Sequence, residues 1–559
     1  MQPGPWPEVP ADTARVARAA FRKGSLPVRA RDELGAWCDD GAFAGMYGVR
    51  GAPGISPAQL AMVTVLQFTE NLTDRQAADA VRGRLDWKYC LGLALEDEGF
   101  DFSVLSEFRS RLVAAGAERA LLDLLVARLK EMGLLKAGGR QRTDSTHVLG
   151  RIRDLNRLEL AGETVRAALE ALAAAAPGWL ASVIDSSWQD AYGLRIDSFR
   201  LPGSAARRQE LAARYGRDGY FLLTAVRAAG APGWLRELPA VETLRRVWVQ
   251  QYYREAGEGG EKVIRREATR QGLPPGRAAI VSPYDTAARY SEKRGRGWTG
   301  YKAHFTETCH EPAPDGSRDA PNLITNAATT PAAVTDAEMT APVHDMLQAA
   351  GLAPAEHVVD AGYASADLLV AAAKLGITLT GPLRTTATPQ ARAGGYTPDT
   401  FTIDWDTRQL TCPRGVTSGR WCEHVSTGGH DVIKVTFPAA ACTPCPARAQ
   451  CTTSRTGRQV HLRPRETHEA VTAARAAQET DAWKKRYAIR AGVEGTIAQA
   501  ARRTGIRTAR YAGLPKTTLE HNIAATAINL IRLDAWWTAR PLDRTRTTHL
   551  QRLHLTPAA

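Results

Sequence analysis

Three carboxylates in this sequence stand where a plain surface charge is not expected. Asp144 lies inside QRTDSTHVL, a segment that reads as extended, and Asp360 ends the apolar run VVD just before Gly362. Glu494 is the single acid of the stretch 484–510, KKRYAIRAGVEGTIAQAARRTGIRTAR, which carries eight Lys or Arg side chains. Any one of the 59 Asp and Glu residues is ordinarily a solvated surface charge. Placement separates these three, because a carboxylate at the end of a core strand is costly to bury unless a cation or a partner meets it. Two strand-borne acids and a helical one make an oxygen cage suited to Mg²⁺ or Mn²⁺, hard ions that prefer oxygen to imidazole. Two such ions, roughly 4 Å apart, can activate a water or a 3′-hydroxyl on one side of a phosphodiester and stabilise the leaving oxygen on the other. That chemistry needs positive charge to hold a polyanion, and Arg490, Arg502, Arg503, Arg507 and Arg510 are placed to grip phosphates while Glu494 reaches the metal.

The elements that must carry these residues are legible as patterns. SPAQLAMVTVLQF opens with Ser56, Pro57 and Gln59, a capping-box start with Pro at the first helical position, and Thr73 with Gln76 repeats the signal. FSVLSEFRSRLVAAGAERALLDLLVARLKEMGLL reads as two further amphipathic helices, so residues 1–138 form a helical domain. GGR at 138–140 breaks that pattern before the extended segment with Asp144. Helical composition returns from about Asp154 to Gln271 as an insertion, about 150–285. Period-two alternation then marks WTGYKAHFTET, with Lys302 and His304 on its polar side, and NLITNAATT. EHVVDAGYASADLLVAAAKLGITLTGPL reads as a buried strand, a Gly turn, a helix opened by Ser365 and a second strand. The expected fold class is therefore α/β, or α+β overall: one domain over 139–540, with a strand-poor, Cys-rich insertion at about 400–465, helices from Thr467 to about Trp537, and a loose basic tail at 541–559.

Composition bounds the partners. The 559-residue chain exceeds what a single core usually supports. Its net charge of +13 and pI of about 9.5 point to nucleic acid or an anionic surface. A membrane span is excluded by pattern: no uncharged apolar run reaches the roughly 18–20 residues required, and ALAAAAPGWLASVI is broken by Pro177 and Gly178. MQPGPWPEVP has neither a basic start nor an apolar stretch, so no secretion signal is read and a cytoplasmic, nucleoid-associated protein is expected. The eight cysteines then read as reduced thiols or metal ligands and not as a disulfide framework.

The strings TDSTHV, SPYDTAARYSEKRGRGWTGYKAH, VVDAGYAS and RYAIRAGVEGTIAQAARRTGIRTARYAGLPKTTLEHNIAATAINLIRL together resemble bacterial insertion-sequence transposases of the DDE type, from about Ile55 to Leu533. The resemblance implies a ribonuclease-H-like catalytic domain, a mixed sheet with flanking helices, in which Asp144 sits on the first core strand, Asp360 ends the fourth and Glu494 lies on the closing helix. It implies two Mg²⁺ or Mn²⁺ ions, binding of the element's terminal inverted repeats, hydrolysis that frees a 3′-hydroxyl, and strand transfer into target DNA. Double-stranded DNA is the implied partner, with a homodimer on the DNA. Relatives often place a Tyr, an Arg three residues on, a Glu four after that, and a Lys or Arg seven beyond. Tyr487, Arg490 and Glu494 keep that register, whereas the last position is Ala501, followed by Arg502 and Arg503. That departure keeps open a catalytically silent DNA-binding descendant; a simple metal-dependent nuclease is the third reading.

Other motifs carry their own alternatives. Cys412, Cys422, Cys442, Cys445 and Cys451 include one CxxC and read either as a zinc knuckle or as reduced, partly buried thiols. His147, three residues after Asp144, falls on the opposite face of an alternating strand. Lys302 reads as a DNA contact or an ordinary surface-strand residue, and Asp336 as a helix N-cap. The N-terminal helices serve end binding or dimerisation.

Overall fold

A computed structural model of the chain describes residues 3–48, 54–257, 260–267, 272–310, 320–383, 389–540 and 553. Apart from Leu553, the basic tail at 541–559 lies outside the described residues. The chain forms two compact units: Met1–Leu135, Ser145–Thr335 and Gly495–Ala559 in the first, Lys136–Asp144 and Asp336–Glu494 in the second.

The fold is mixed α/β and centres on a six-stranded sheet. Its strands are β1 (Arg140–Leu149), β2 (Arg289–Lys293), β3 (Arg296–Thr308), β4 (Ile324–Pro331), β5 (Glu356–Val359) and β6 (Thr378–Thr380). The order is β2-β3-β1-β5-β6, with β4 also paired to β3. β2, β3 and β4 are linked by antiparallel ladders, whereas β5 runs parallel to β1 and β6 parallel to β5. This is the mixed sheet expected of a ribonuclease-H-like domain. β3 differs from a half-exposed strand: Tyr301, Ala303 and Phe305 are fully buried, and so is His304 on the other face, where it bonds Thr330 at 3.0 Å.

In the first unit the N-terminal signals act as read. Ser56 accepts the Gln59 N–H at 3.2 Å to open the helix Pro57–Glu70. Thr73 and Gln76 form a reciprocal capping box for Asp74–Gly83, satisfying two donors that a helix start otherwise leaves orphaned. The helix Leu514–Trp537, buried along most of its length, packs against Pro57–Glu70. Residues 157–251 form the helices Arg157–Ala175, Pro177–Val183, Ser186–Tyr192, Ala205–Ala225 and Pro239–Gln251, sharing a core with Val165, Leu172, Leu244 and Trp248. Gly219 is required there, since a Cβ would lie 2.1 Å from the Trp248 ring. The helical reading of the insertion fails after Gln251, where Tyr252–Gly257 and Gly260–Arg265 pair as an antiparallel hairpin. Its alternation is masked by charged residues on an exposed face.

In the second unit Ser365 caps the helix Ala366–Lys374 through the Leu368 N–H. The strand-poor reading of 400–465 is also corrected. The strands Thr402–Asp404, Gln409–Thr411, Arg420–Val425, Asp431–Thr436 and Gln459–Leu462 form two small antiparallel sheets around Phe401, Leu410, Val435, Phe437 and Val460. Each is three to six residues long with a polar outer face, so apolar alternation is too brief to register.

Candidate active site

All three predicted acids belong to the second unit. The parallel register pairs Arg140 with Glu356 and Thr143 with Val359, so Asp144, midway along β1, and Asp360, just past the end of β5, are the next residues on the two strands where that parallel pairing stops. Carboxyl ends of parallel strands are where open α/β sheets bind ligands. Asp144 is buried, whereas the Asp360 side chain is 28% exposed. Asp360 Oδ1 accepts the Gly362 N–H at 2.8 Å, which fixes the carboxylate across the turn. Glu494, in the first turn of the helix Ala491–Thr504, keeps 63% of its side chain exposed.

The acids converge on a side chain. Arg490 Nη2 lies 2.7 Å from Asp144 Oδ2 and 3.9 Å from Asp360 Oδ2, and its Nη1 lies 2.8 Å from Glu494 Oε1. Burial pulls the Arg490 guanidinium down, but Asp144, Tyr487, Asp360 and Glu494 outweigh it and hold the group above its ordinary value. Its Nε is buried with no partner among the described residues. Tyr487, on the helix Asp481–Ala488, stacks on Trp483 with ring centres 4.7 Å apart at 13°. Burial raises the Tyr487 hydroxyl; Arg490 opposes this, and Asp360, Asp144 and Glu494 add to it.

The donor set, oxygen throughout, fits a hard divalent cation. What the three carboxylates hold here is a guanidinium. Among the described residues no three His, Cys, Asp or Glu side chains are gathered closely enough to hold an ion directly, so metal binding at these acids requires Arg490 to give way.

Several supporting residues carry no signal in the sequence. Arg142 shares the face of β1 with Asp144, two residues on, and donates to the Ile489 carbonyl, which also accepts the Gly492 N–H at 3.2 Å between the helices Asp481–Ala488 and Ala491–Thr504. Its guanidinium lies on Gly492, where a Cβ would be 2.1 Å from Arg142 Nη1. On the opposite face Thr143 Oγ1 meets His357 Nε2 at 2.6 Å, and His357 Nδ1 meets His344 Nε2 at 2.9 Å. Glu356, buried at the start of β5, takes Arg140 at 2.8 Å, Arg486 at 2.6 Å and the Thr380 hydroxyl at 2.7 Å. Arg486 thereby ties the helix bearing Tyr487 to the sheet. Asp336 stands at the start of the short helix Ala337–Met339 without capping it through its side chain. Its carboxylate lies instead beside Gly362, where an added Cβ would be 3.2 Å from Asp336 Oδ2 and 2.9 Å from Asp360 Oδ1.

The remaining predicted residues lie in the first unit or the Cys-rich segment. Arg502, Arg503 and Arg507 are exposed. Arg510 is engaged with Asn71 and the Leu72 carbonyl, its guanidinium 4.1 Å from the Phe68 ring centre. Lys302 donates to the Val334 carbonyl at 2.8 Å. His147 is exposed beside Trp298, on the face of β1 away from buried Asp144. Cys412, Cys442, Cys445 and Cys451 line one cavity; Cys422 does not, and accepts from Arg420 Nε at 3.0 Å. Burial raises the Cys451 thiol, Arg458 opposes this, and Cys442, Cys412 and Cys445 add to it.

Residues 411–534 match the family described as Transposase DDE domain, and residues 21–111 match Transposase domain (DUF772). The first match contains Glu494 and all five of these cysteines, whereas Asp144 and Asp360 precede it. No curated protein and no solved structure matches the chain. No helix among the described residues is long and apolar enough to cross a membrane.

Proposed function

We propose that this chain, an insertion-sequence transposase of the DDE type, binds the terminal inverted repeats of its own element, hydrolyses a phosphodiester at each end and directs the freed 3′-hydroxyls into target DNA. The observation that carries this reading is the meeting of Asp144, Asp360 and Glu494 on the one guanidinium of Arg490. Acids from the middle of one strand, the end of its neighbour and a helix, brought together from positions 144, 360 and 494, are poorly explained as solvated surface charge.

Asp144, Asp360 and Glu494 would hold two Mg²⁺ or Mn²⁺ ions, which when bound supply activation of the attacking oxygen and stabilisation of the leaving one. The chain's own residues do the rest. Arg490, released from the acids, presents its guanidinium to a backbone phosphate, and its buried Nε, without a partner among the described residues, supplies a further donor. Tyr487, braced by Trp483 and by the Arg486–Glu356 pair, fixes the helix end from which Arg490 reaches. Arg502, Arg503 and Arg507 add sequence-independent phosphate contacts, and a neighbouring Arg takes the place of the base absent at Ala501. Arg510 and Lys302, both bonded within the protein, belong to the DNA surface only through what they hold in place. The N-terminal helices serve end binding or pairing of two protomers on DNA.

The test is incubation of the purified chain with labelled DNA carrying the element's ends, with Mg²⁺ or EDTA, beside Glu494→Gln. Nicking and joined products, lost with EDTA and in the variant, are expected. Tight binding without cleavage under Mg²⁺ or Mn²⁺ would make the chain a silent DNA-binding descendant, and cleavage without joining a nuclease.

A further inference from the structure

The Cys-rich segment takes no part in the chemistry proposed above, yet it places its thiols selectively. A cavity of about 30 Å³ is lined by Cys412, Cys442, Cys445 and Cys451, room for a single water-sized occupant. Cys412 and Cys445 lie in turns, and Cys442 and Cys451 end the short helices Ala439–Cys442 and Arg448–Cys451. The Gly415 N–H donates to the Cys412 carbonyl at 2.8 Å, closing Cys-Pro-Arg-Gly with Gly415 at φ 80°. The Cys445 N–H approaches the Cys442 carbonyl at 3.4 Å, closing the CxxC, and Cys451 ends the short helix Arg448–Cys451.

Arg458 also lines the cavity. It is 7% exposed; its Nη1 donates to the Cys451 carbonyl at 2.9 Å and its Nη2 to the Tyr396 carbonyl at 3.3 Å, while its Nε has no partner among the described residues. A buried guanidinium that keeps an unbonded N–H and lines the same cavity as four thiols is better compensated once those thiols ionise. Four thiolates around a divalent ion carry a net double negative charge and accept N–H···S bonds from such a group, the usual outer partners of a metal–thiolate centre.

We infer that Cys412, Cys442, Cys445 and Cys451, which line one cavity but are not gathered closely enough in this structure to hold an ion directly, close on one Zn²⁺ as a tetrahedral thiolate site, with Arg458 as its counter-charge and Cys422 outside it. Binding releases the thiol protons to solvent and draws the four sulfurs inward onto the ion. The site ties the turn after Gln409–Thr411 to both short helices, closing the small sheets that stand in sequence between β6 and the helices bearing Tyr487 and Glu494. No redox change is involved, and the ion is remote in role from those expected at the acids.

The full-length chain, purified without added chelator, is assayed for metal by mass spectrometry and reloaded with Co²⁺ after zinc removal. About one Zn²⁺ per chain and the absorption bands of a tetrahedral Co²⁺–thiolate centre are expected. Cys445→Ser should lose the metal and Cys422→Ser should keep it. Should Cys445→Ser fail to fold, alkylation of the native chain and peptide mapping give the same answer: Cys422 modified, the other four protected until zinc is removed. A chain that carries no stoichiometric metal and whose four cavity thiols alkylate as readily as Cys422 overturns the inference, as does loss of metal from Cys422→Ser.

Discussion

Arg490 Nη2 donates to Asp144 Oδ2 at 2.7 Å, across 346 residues of sequence. The pair is largely buried, with 16% and 10% of the two side chains exposed, so water screens it weakly. A cation entering among the acids must displace a cation already bonded there. Arg490→Gln should therefore bind Mn²⁺ more tightly than the native chain in the absence of DNA, by roughly tenfold, or about 1.4 kcal/mol. Calorimetric titration of the DNA-free proteins measures this, and equal affinities would mean that Arg490 does not compete.

Asp144→Asn keeps the size of the side chain and removes its charge. End cleavage should fall by roughly 10³-fold, about 4 kcal/mol of transition-state stabilisation, while end binding in a gel shift stays near native. Loss of binding and folding together would mark Asp144 as a structural acid.

Glu356 touches no predicted metal ligand, yet it holds Arg486 at 2.6 Å. Glu356→Gln should slow strand transfer by about tenfold through loosened placement of the Tyr487–Arg490 segment. Mn²⁺ affinity should remain at the native value. A parallel drop in metal affinity would contradict a role confined to positioning.

His357 is pushed down to about 3, first by burial and then by His344 beside it. The unfolded chain takes up a proton at His357 near pH 6.5, and the folded chain only near 3. The stability linked to this group is thus fully present above about pH 6.5 and is lost as pH falls toward 3. Urea midpoints should drop between about pH 7.5 and about pH 5, and His357→Gln, which can still bond Thr143, should flatten that drop. A variant with an unchanged pH profile would remove His357 from the account.

Arg503 is exposed on the helix that carries Glu494. Arg503→Ala should weaken DNA binding equally on all sequences and lower the salt slope of log K by about one. A sequence-selective loss would point to a base contact instead.

Much of this arrangement was legible before the fold. Asp144 is marked by its place inside an extended segment, Asp360 by ending the apolar run VVD, Ser365 and Thr73 by capping chemistry, and Glu494 by its isolation among bases. The hairpin 252–265 and the small strands of 402–462 were missed because strands this short, with charged outer faces, leave no periodic trace. Arg490 reads in the sequence as a phosphate ligand because it is one of the bases surrounding Glu494. Its position between the acids depends on the turn at Ile489 and Arg490 and on the β1–β5 register, neither of which a local pattern encodes. Arg142, Glu356 and the Thr143–His357–His344 chain were silent for the same reason: their partners lie between 13 and 347 residues away.

The turn that the Gly492 N–H closes on the Ile489 carbonyl, with Arg142 donating to the same oxygen, also sets the helical phase of Glu494, four residues past Arg490. Each helical residue rotates the next side chain by about 100° and advances it about 1.5 Å. One codon gained or lost between Ala491 and Val493 would swing the Glu494 carboxylate round the helix and away from Arg490, whatever the composition of the stretch. The exposed turn at Ser426–His430 has no such phase to keep. Length variation among relatives should therefore collect in turns like that one and be absent from the few residues between Tyr487 and Glu494, where spacing itself is the functional trait.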